Sequence, residues 1–375
     1  MTLRTVDADH LLPGISALDV ETSRLRMRML VRDGDEITGD SRVLVLVHGN
    51  VSSSLFYQRL MLALAEAMPD IVPVAPDLRG YGETEPAPID ASRGLRDHAD
   101  DLVALLDTLG VRVADLMGWS MGGGVVARLA TDDPTRVRSL VLQAPVSPYG
   151  FGATTDVAGT LATGDAAGTG GGGANPRFVE LLAAGSADGE GTRDEPEGSS
   201  PRATLRAVYV APRAQPWPDE DMWVASMCTT RVGPDHYPGD ATASENWPGF
   251  APGRRGVLNS MAPLFCRWDD LVGASPKPPV LWVHGDADRI VSDASALDLA
   301  VLGAAGILPG YPGAEMLPPQ PMIAQTRTVL DAYRDSGGTY RELSLPGIGH
   351  SPHLEAPERV LAALVEHLLL TTRDG

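Results

Sequence analysis

Apolar and polar positions along the chain fall into two rhythms. Short runs of β-branched and aliphatic residues, such as Val43–Val47, Ile71–Ala75, Val113–Met117, Val137–Gln143 and Val280–Val283, carry few polar interruptions. Such runs predict strands buried on both faces. Arg24–Val31 alternates instead, as an edge strand does, and the turn-forming stretch Asp33–Asp40 follows it. Elsewhere the spacing lengthens to that of a helix. Phe56–Ala67 has this spacing, and Gly94–Leu109 sets Leu95, Leu102, Leu105, Leu106 and Leu109 on one side, with Gly110 placed to cap the end. Val125–Ala130 lies in a further helix. Strand and helix therefore alternate as far as residue 145, which predicts a parallel sheet with helices on both faces. The alternation resumes at Val280, with helices at Leu297–Leu302, Met322–Asp335 and Pro357–Leu370 and a last strand at Tyr340–Leu345.

Residues 151–275 break this rhythm. They are rich in Gly, Pro, Ala and acidic residues, and they hold the Gly170–Gly173 run and the polar stretch Ala187–Pro201. Amphipathic pieces still recur, at Pro176–Ala184 and Pro218–Met227, and four of the six tryptophans (Trp217, Trp223, Trp247 and Trp268) fall here. Disordered linkers lack such bulky apolar residues, so the stretch is expected to fold over the sheet as a cap or lid with a flexible tip. The expected organisation is a core in two parts, 1–150 and 276–375, with a cap inserted at 151–275.

Composition narrows the class. With 375 residues and 43 % hydrophobic content, the chain can bury a core of its own. A formal net charge of −19 repels nucleic acid and anionic lipid, so a small-molecule partner is expected and a nucleic-acid partner is not. Cys228 and Cys266 are the two cysteines, and neither sits in a C-x-x-C pattern. They are expected as free thiols, with no disulfide framework and no metal site. Met1–His10 is polar and acidic and lacks the basic and apolar regions of a signal peptide, and no apolar run reaches membrane-spanning length. A cytoplasmic protein with no membrane span is the expectation; oligomeric state leaves no signature.

Candidate chemistry enters at Gly118-Trp119-Ser120-Met121-Gly122, which follows the strand Val113–Met117 and precedes a helix. In that setting a G-x-S-x-G sequence forms a sharp strand-to-helix turn that lifts the serine hydroxyl clear of the sheet. The flanking glycines leave room for neighbouring backbone. The helix start adds amide N–H groups and partial positive charge. Together with Val43–Gly49, the segment Asp77-Leu78-Arg79-Gly80-Tyr81-Gly82 and the blocks around Asp288 and His350, this elbow resembles the α/β-hydrolase superfamily. The resemblance covers residues 40–150 and 278–370, and 151–275 matches no particular subfamily. A serine at the elbow is unlike the aspartate-nucleophile branches and similar to capped esterases, lipases and lactonases.

The resemblance implies an α/β-hydrolase fold, no cofactor, and a Ser-then-acid-then-His order along the chain. A serine hydroxyl is a weak nucleophile and needs an adjacent base. His350, reached from the last strand through Pro346-Gly347-Ile348-Gly349, is the expected base, with His353 as the alternative. Asp288, within His284-Gly285-Asp286-Ala287-Asp288, is the expected acid, holding the imidazole tautomer. Asp286 is its rival and is better suited to turn hydrogen bonds. His48 and Arg79 are read as structural.

Acyl transfer builds negative charge on a carbonyl oxygen, which two backbone N–H groups usually meet. Met121 supplies one; by resemblance Asn50 supplies the other, with Val51 as fallback. The Asn50 side chain could face substrate or tie down its own loop. Trp119 and Val51 are candidate pocket residues. The expected activity is cleavage of a carboxylic ester or lactone through an acyl-enzyme. An acyltransferase, amidase or carbon–carbon hydrolase with the same triad, or a non-catalytic ligand-binding member of the fold, are the alternatives.

Overall fold

The computed structural model describes residues 10–213 and 216–371; the N-terminal stretch weighed above lies largely at residues 1–9, outside the described residues. Eight strands form one sheet: β1 (Ile15–Glu21), β2 (Arg26–Arg32), β3 (Arg42–Val47), β4 (Ile71–Pro76), β5 (Ala114–Trp119), β6 (Val137–Gln143), β7 (Val280–Gly285) and β8 (Tyr340–Leu345). Their order is β1-β2-β4-β3-β5-β6-β7-β8. β1–β2 and β2–β4 are antiparallel, and every other pair is parallel. The mainly apolar runs of β3, β5 and β7 are buried nearly throughout, as a sheet covered on both faces requires.

One edge differs from expectation. Arg24–Val31 was expected at the rim, yet β2 lies second, with β1 outside it. β1 shows no clear alternation, because only Ile15 in it is buried. It is held by register with β2 and by ion pairs from Arg26 and Arg28 to Asp19, each at 2.8 Å.

The covering helices are α1 (Gln58–Ala67), α2 (Arg96–Thr108), α3 (Met121–Asp132), α4 (Pro176–Ala184), α5 (Glu220–Met227), α6 (Leu299–Ala304), α7 (Met322–Asp335) and α8 (Pro357–Leu370). The chain goes from β3 out to β4 and returns past β3 to β5. Strand order therefore reverses between β3 and β5, and the crevice at their carboxyl ends is where open α/β sheets bind ligands.

Among the described residues, none between Gln143 and Val280 enters the eight-stranded sheet. This inserted segment carries α4 and α5, and its Pro201–Thr204 helix runs on into a π-helical turn, Leu205–Tyr209. Asn175 caps α4 through Arg177 N–H, and Gly185 closes it in a left-handed conformation, φ 63°. The glycine run is tightly packed: a Cβ on Gly170 would lie 2.1 Å from Asn259 Oδ1, and one on Gly172 would lie 2.5 Å from the Phe250 ring.

The segment is fastened to the core through Trp223 and Trp268, and a buried ion cluster holds it together internally. Trp223 stacks on Phe56, with centroids 6.0 Å apart, and Phe56 stacks on Trp119 at 5.2 Å. Ser226 Oγ meets Ser53 Oγ at 2.6 Å. Fully buried Glu220 accepts from Arg202 at 2.9 Å and from Arg206 at 2.6 Å, which compensates its desolvation. Trp268 is fully buried against the core, its indole N–H donating to Val146 O at 3.0 Å. No described helix is long and apolar enough to cross a membrane.

Removing the Trp223 side chain should open a cavity between α5 and the Phe56 ring. Trp223→Ala is expected to lower the unfolding free energy by about 3–5 kcal/mol. Denaturant titration measures it, and a loss below about 1 kcal/mol would mean that the stack does not fasten the segment.

Candidate active site

The elbow is built by crowding. β5 ends at Trp119 and α3 starts at Met121, so Ser120 alone makes the reversal, at φ 57° and ψ −121°. An L-residue there is strained and persists only where its surroundings hold it. Ser120 N–H donates to Gln143 O at 2.9 Å, and Ser120 O accepts from Gly123 and Val146 N–H, each at 2.9 Å. A Cβ on Gly118 would sit 2.2 Å from Gly122 O, and one on Gly122 would sit 2.2 Å from Val47 O. The two glycines of the motif are thus what lets β5, α3 and β3 approach one another. Ser120 itself is partly exposed.

Asp288 and His350, from the loops after β7 and β8, are brought together. His350 Nδ1 lies 2.8 Å from Asp288 Oδ2, and both side chains are 1 % exposed. An ionised carboxylate only accepts, so Nδ1 donates and Nε2 is left as the accepting nitrogen. The other oxygen, Oδ1, accepts from Ile290 and Val291 N–H at 2.7 and 3.0 Å, which fixes the carboxylate plane. Trp119, adjacent to Ser120, donates from Nε1 to His350 O at 2.8 Å and packs its ring 5.6 Å from the imidazole. The loop after β3 also converges on the elbow: a Cβ on Gly49 would be 3.0 Å from Ser120 Cβ.

Asn50 points its side chain neither at its own loop nor free of contacts. Its Oδ1 accepts from Tyr81 Oη at 2.6 Å, and its carbonyl accepts from Tyr209 Oη at 2.8 Å. The Val51 N–H interacts with the Tyr81 phenol, whereas the Asn50 N–H has no acceptor among the described residues. Met121 opens α3, and N–H groups in a first turn have no intrahelical acceptor.

Comparisons with known proteins bear on the fold. Residues 42–167 match the α/β-hydrolase fold family. Similar curated proteins include the 2-hydroxymuconate semialdehyde hydrolase of Pseudomonas sp. strain CF600, 36 % identical over 99 residues (26 % of this chain, 35 % of that protein). Lipase LipV of Mycobacterium tuberculosis is 36 % identical over 111 residues, 29 % of this chain and 38 % of that protein. The chain thus spans little more than a third of the length of these relatives. The solved structure of carboxylesterase CesB from Bacillus subtilis is alike in fold, with a TM-score of 0.55 at 15 % identity over 96 % of this chain and 93 % of that one. The chain has the α/β-hydrolase fold.

The remaining groups of this α/β-hydrolase site sort into supports. His48 is fully buried; its Nδ1 meets Gly49 O at 2.8 Å and its Nε2 accepts from Leu78 N–H at 2.9 Å. Burial pushes its pKa down to about 4. His353 lies behind Trp119, with Nδ1 2.6 Å from the Gln143 amide, and burial followed by repulsion from His350 pushes it down to about 3. Asp286 takes the Gly347 N–H at 2.6 Å in a turn. Arg79 is spent on Asp101, at 2.6 and 2.7 Å. Cys228 and Cys266 form no disulfide, and burial pushes the Cys266 thiol up to about 12.

Three supporting residues were not singled out from the sequence. Tyr81 and Tyr209 hold Asn50, and Glu355 accepts from Gly349, Ser351 and Ala211 N–H at 3.0, 3.1 and 2.7 Å. Glu355 sits five residues past His350, but nothing in the local spacing marks it. Burial raises its pKa, against which the three N–H donors act.

The buried histidines predict acid sensitivity. His48 and His353 titrate near 6.5 when unfolded and near 4 and 3 when folded, so they stay neutral in the native state. Below pH 6.5 the unfolded chain binds protons that the folded chain does not, so their contribution is complete above 6.5 and falls on acidification. Each should cost roughly 1.4 kcal/mol per pH unit within its window. Urea unfolding of wild type and His353→Gln between pH 7 and pH 5 checks this. An equal slope in the two proteins would mean that His353 is not held neutral. The elbow offers a second test. Gly122→Ala places a methyl on Val47 O, so a folded variant with an unchanged thermal midpoint would contradict the packing described.

Proposed function

We propose that the chain is a serine hydrolase that cleaves a carboxylic ester or lactone through an acyl-enzyme. The observation that carries this reading is the buried His350–Asp288 hydrogen bond at 2.8 Å, anchored through Trp119 to the strained Ser120 elbow.

Ser120 Oγ attacks the substrate carbonyl carbon, and its proton passes to His350 Nε2. Asp288 holds the tautomer that leaves Nε2 free and stabilises the imidazolium. The carbonyl π pair moves onto oxygen, and the resulting anion is met by the N–H groups of Asn50 and Met121. The tetrahedral centre collapses, the carbon–oxygen ester bond breaks, and the leaving alcohol takes the proton from Nε2. Water then attacks the acyl-enzyme, giving its proton to His350, and Ser120 Oγ leaves protonated. Two features support Asn50 over Val51 as donor: its N–H is unengaged among the described residues, and the Val51 N–H faces the Tyr81 phenol. Trp119 and Val51, both fully buried, shape the base of the site from beneath. Residues 151–275 act as a cap over it, since Tyr209 of that segment packs edge-on to Trp119 and His350 at 5.9 and 6.2 Å.

Ser120→Ala is expected to abolish turnover of p-nitrophenyl butyrate and labelling by a fluorophosphonate while leaving the thermal midpoint within a few degrees. Asp288→Asn should lower kcat by about 10⁴-fold, because the imidazole is then held in the wrong tautomer. Full activity of purified Ser120→Ala would remove this serine from the reaction.

A further inference from the structure

We propose that Tyr209, acting with Tyr81, is a positioning residue: it holds the Asn50 carbonyl, and through it the Asn50 backbone, so that the Asn50 N–H faces the oxyanion, which makes the inserted segment part of the catalytic apparatus. The proposal rests on the serine hydrolase reading above.

The loop needs a clamp. Val51 has φ 47°, a conformation that a β-branched residue rarely adopts. Such a residue stays there only if its neighbours over-determine it. Relaxation to negative φ would turn the Asn50–Val51 peptide and drag Asn50 with it, carrying its N–H away from Ser120. Three sets of contacts oppose that. Gly49 O is held by Ser52 Oγ and His48 Nδ1, each at 2.8 Å. The Asn50 side chain is held by Tyr81 Oη at 2.6 Å. The Asn50 carbonyl is held by Tyr209 Oη at 2.8 Å, with Val51 O a further 3.4 Å contact of the same hydroxyl. The first two come from the sheet core, and the last crosses 159 residues from the inserted segment.

Tyr209 is equally tied to the histidine loop. Its own carbonyl accepts from Ser351 Oγ at 2.7 Å, beside His350. Two residues on, Ala211 N–H donates to Glu355, whose carboxyl group also takes the N–H groups on either side of His350, those of Gly349 and Ser351. Two residues before, Ala207 O accepts from Arg289 Nη1 at 2.9 Å, next to Asp288. The strap 207–211 therefore bonds to each of the loops that carry Asn50, Asp288 and His350. It is reached through the π-helical turn Leu205–Tyr209, an irregularity frequent at functional sites.

Tyr209→Phe removes one oxygen atom and keeps the ring that packs on Trp119 and His350. With p-nitrophenyl butyrate, kcat is expected to fall about 10- to 100-fold, part of what loss of an oxyanion donor costs, while KM stays within about twofold. Affinity for a trifluoromethyl ketone, whose adduct places an oxyanion in the same position, should fall by the same factor as kcat. A role in packing alone would lower the thermal midpoint and leave both unchanged. Tyr81→Phe frees the side chain of the same Asn50 and should show the same pattern; it decides the matter if Tyr209→Phe does not fold. Wild-type kcat and ketone affinity in the folded variants, or a change in KM alone, overturns the proposal while leaving the hydrolase reading in place. A wild-type protein that neither turns over the ester nor takes the fluorophosphonate on Ser120 overturns the hydrolase reading, and this proposal with it.

Discussion

The reversal of the chain at Ser120 is the constraint on which the rest of the site depends. An L-residue at φ 57° and ψ −121° costs about 1–3 kcal/mol, and it is kept there by hydrogen bonds from β6 and from the segment after it. The same reversal demands glycine at 118 and 122, because β3 and α3 pass where a Cβ would be. It also delivers the start of α3, with its unpaired N–H groups, beside the hydroxyl. Backbone strain, bare glycines and a helix start beside the hydroxyl are thus one feature seen from three sides.

The second tier is aromatic. Trp119 receives the elbow on one side and the carbonyl of His350 on the other, and Phe56, Trp223 and Tyr209 pack around it. Rings of this size bury large areas and move little, so the loops after β3, β5 and β8 share one rigid support. His48 and His353, which could compete as bases by proximity, are kept neutral by the dryness of that support.

Much of this was legible in the chain because its signals are local. The buried strand Val137–Gln143, the edge strand Tyr340–Leu345 and the helices Met322–Asp335 and Pro357–Leu370 stand where hydrophobic spacing put them. The Asp288–His350 contact follows the order of strands, since β7 and β8 are neighbours whose loops emerge side by side. What could not be read depends on distant partners. β1 is a strand because β2 pairs with it, not because of its own pattern. Tyr81 and Tyr209 look like any other aromatic residue until the fold sets both against Asn50, from 31 and 159 residues away. The glycine run at 170–173 looks like slack and is instead a place where Phe250 and Asn259 come too close for any side chain.

The strap between Ala207 and Ala211 bonds to the surrounding loops through three main-chain atoms, Ala207 O, Tyr209 O and Ala211 N, besides the Tyr209 hydroxyl. Such bonds are indifferent to the identity of the side chain but not to the count of residues between them. Most substitutions along this stretch would leave those bonds in place, whereas adding or deleting a single residue would throw the loops that carry Asn50, Asp288 and His350 out of step. The length of the stretch, more than its composition, keeps those loops in register.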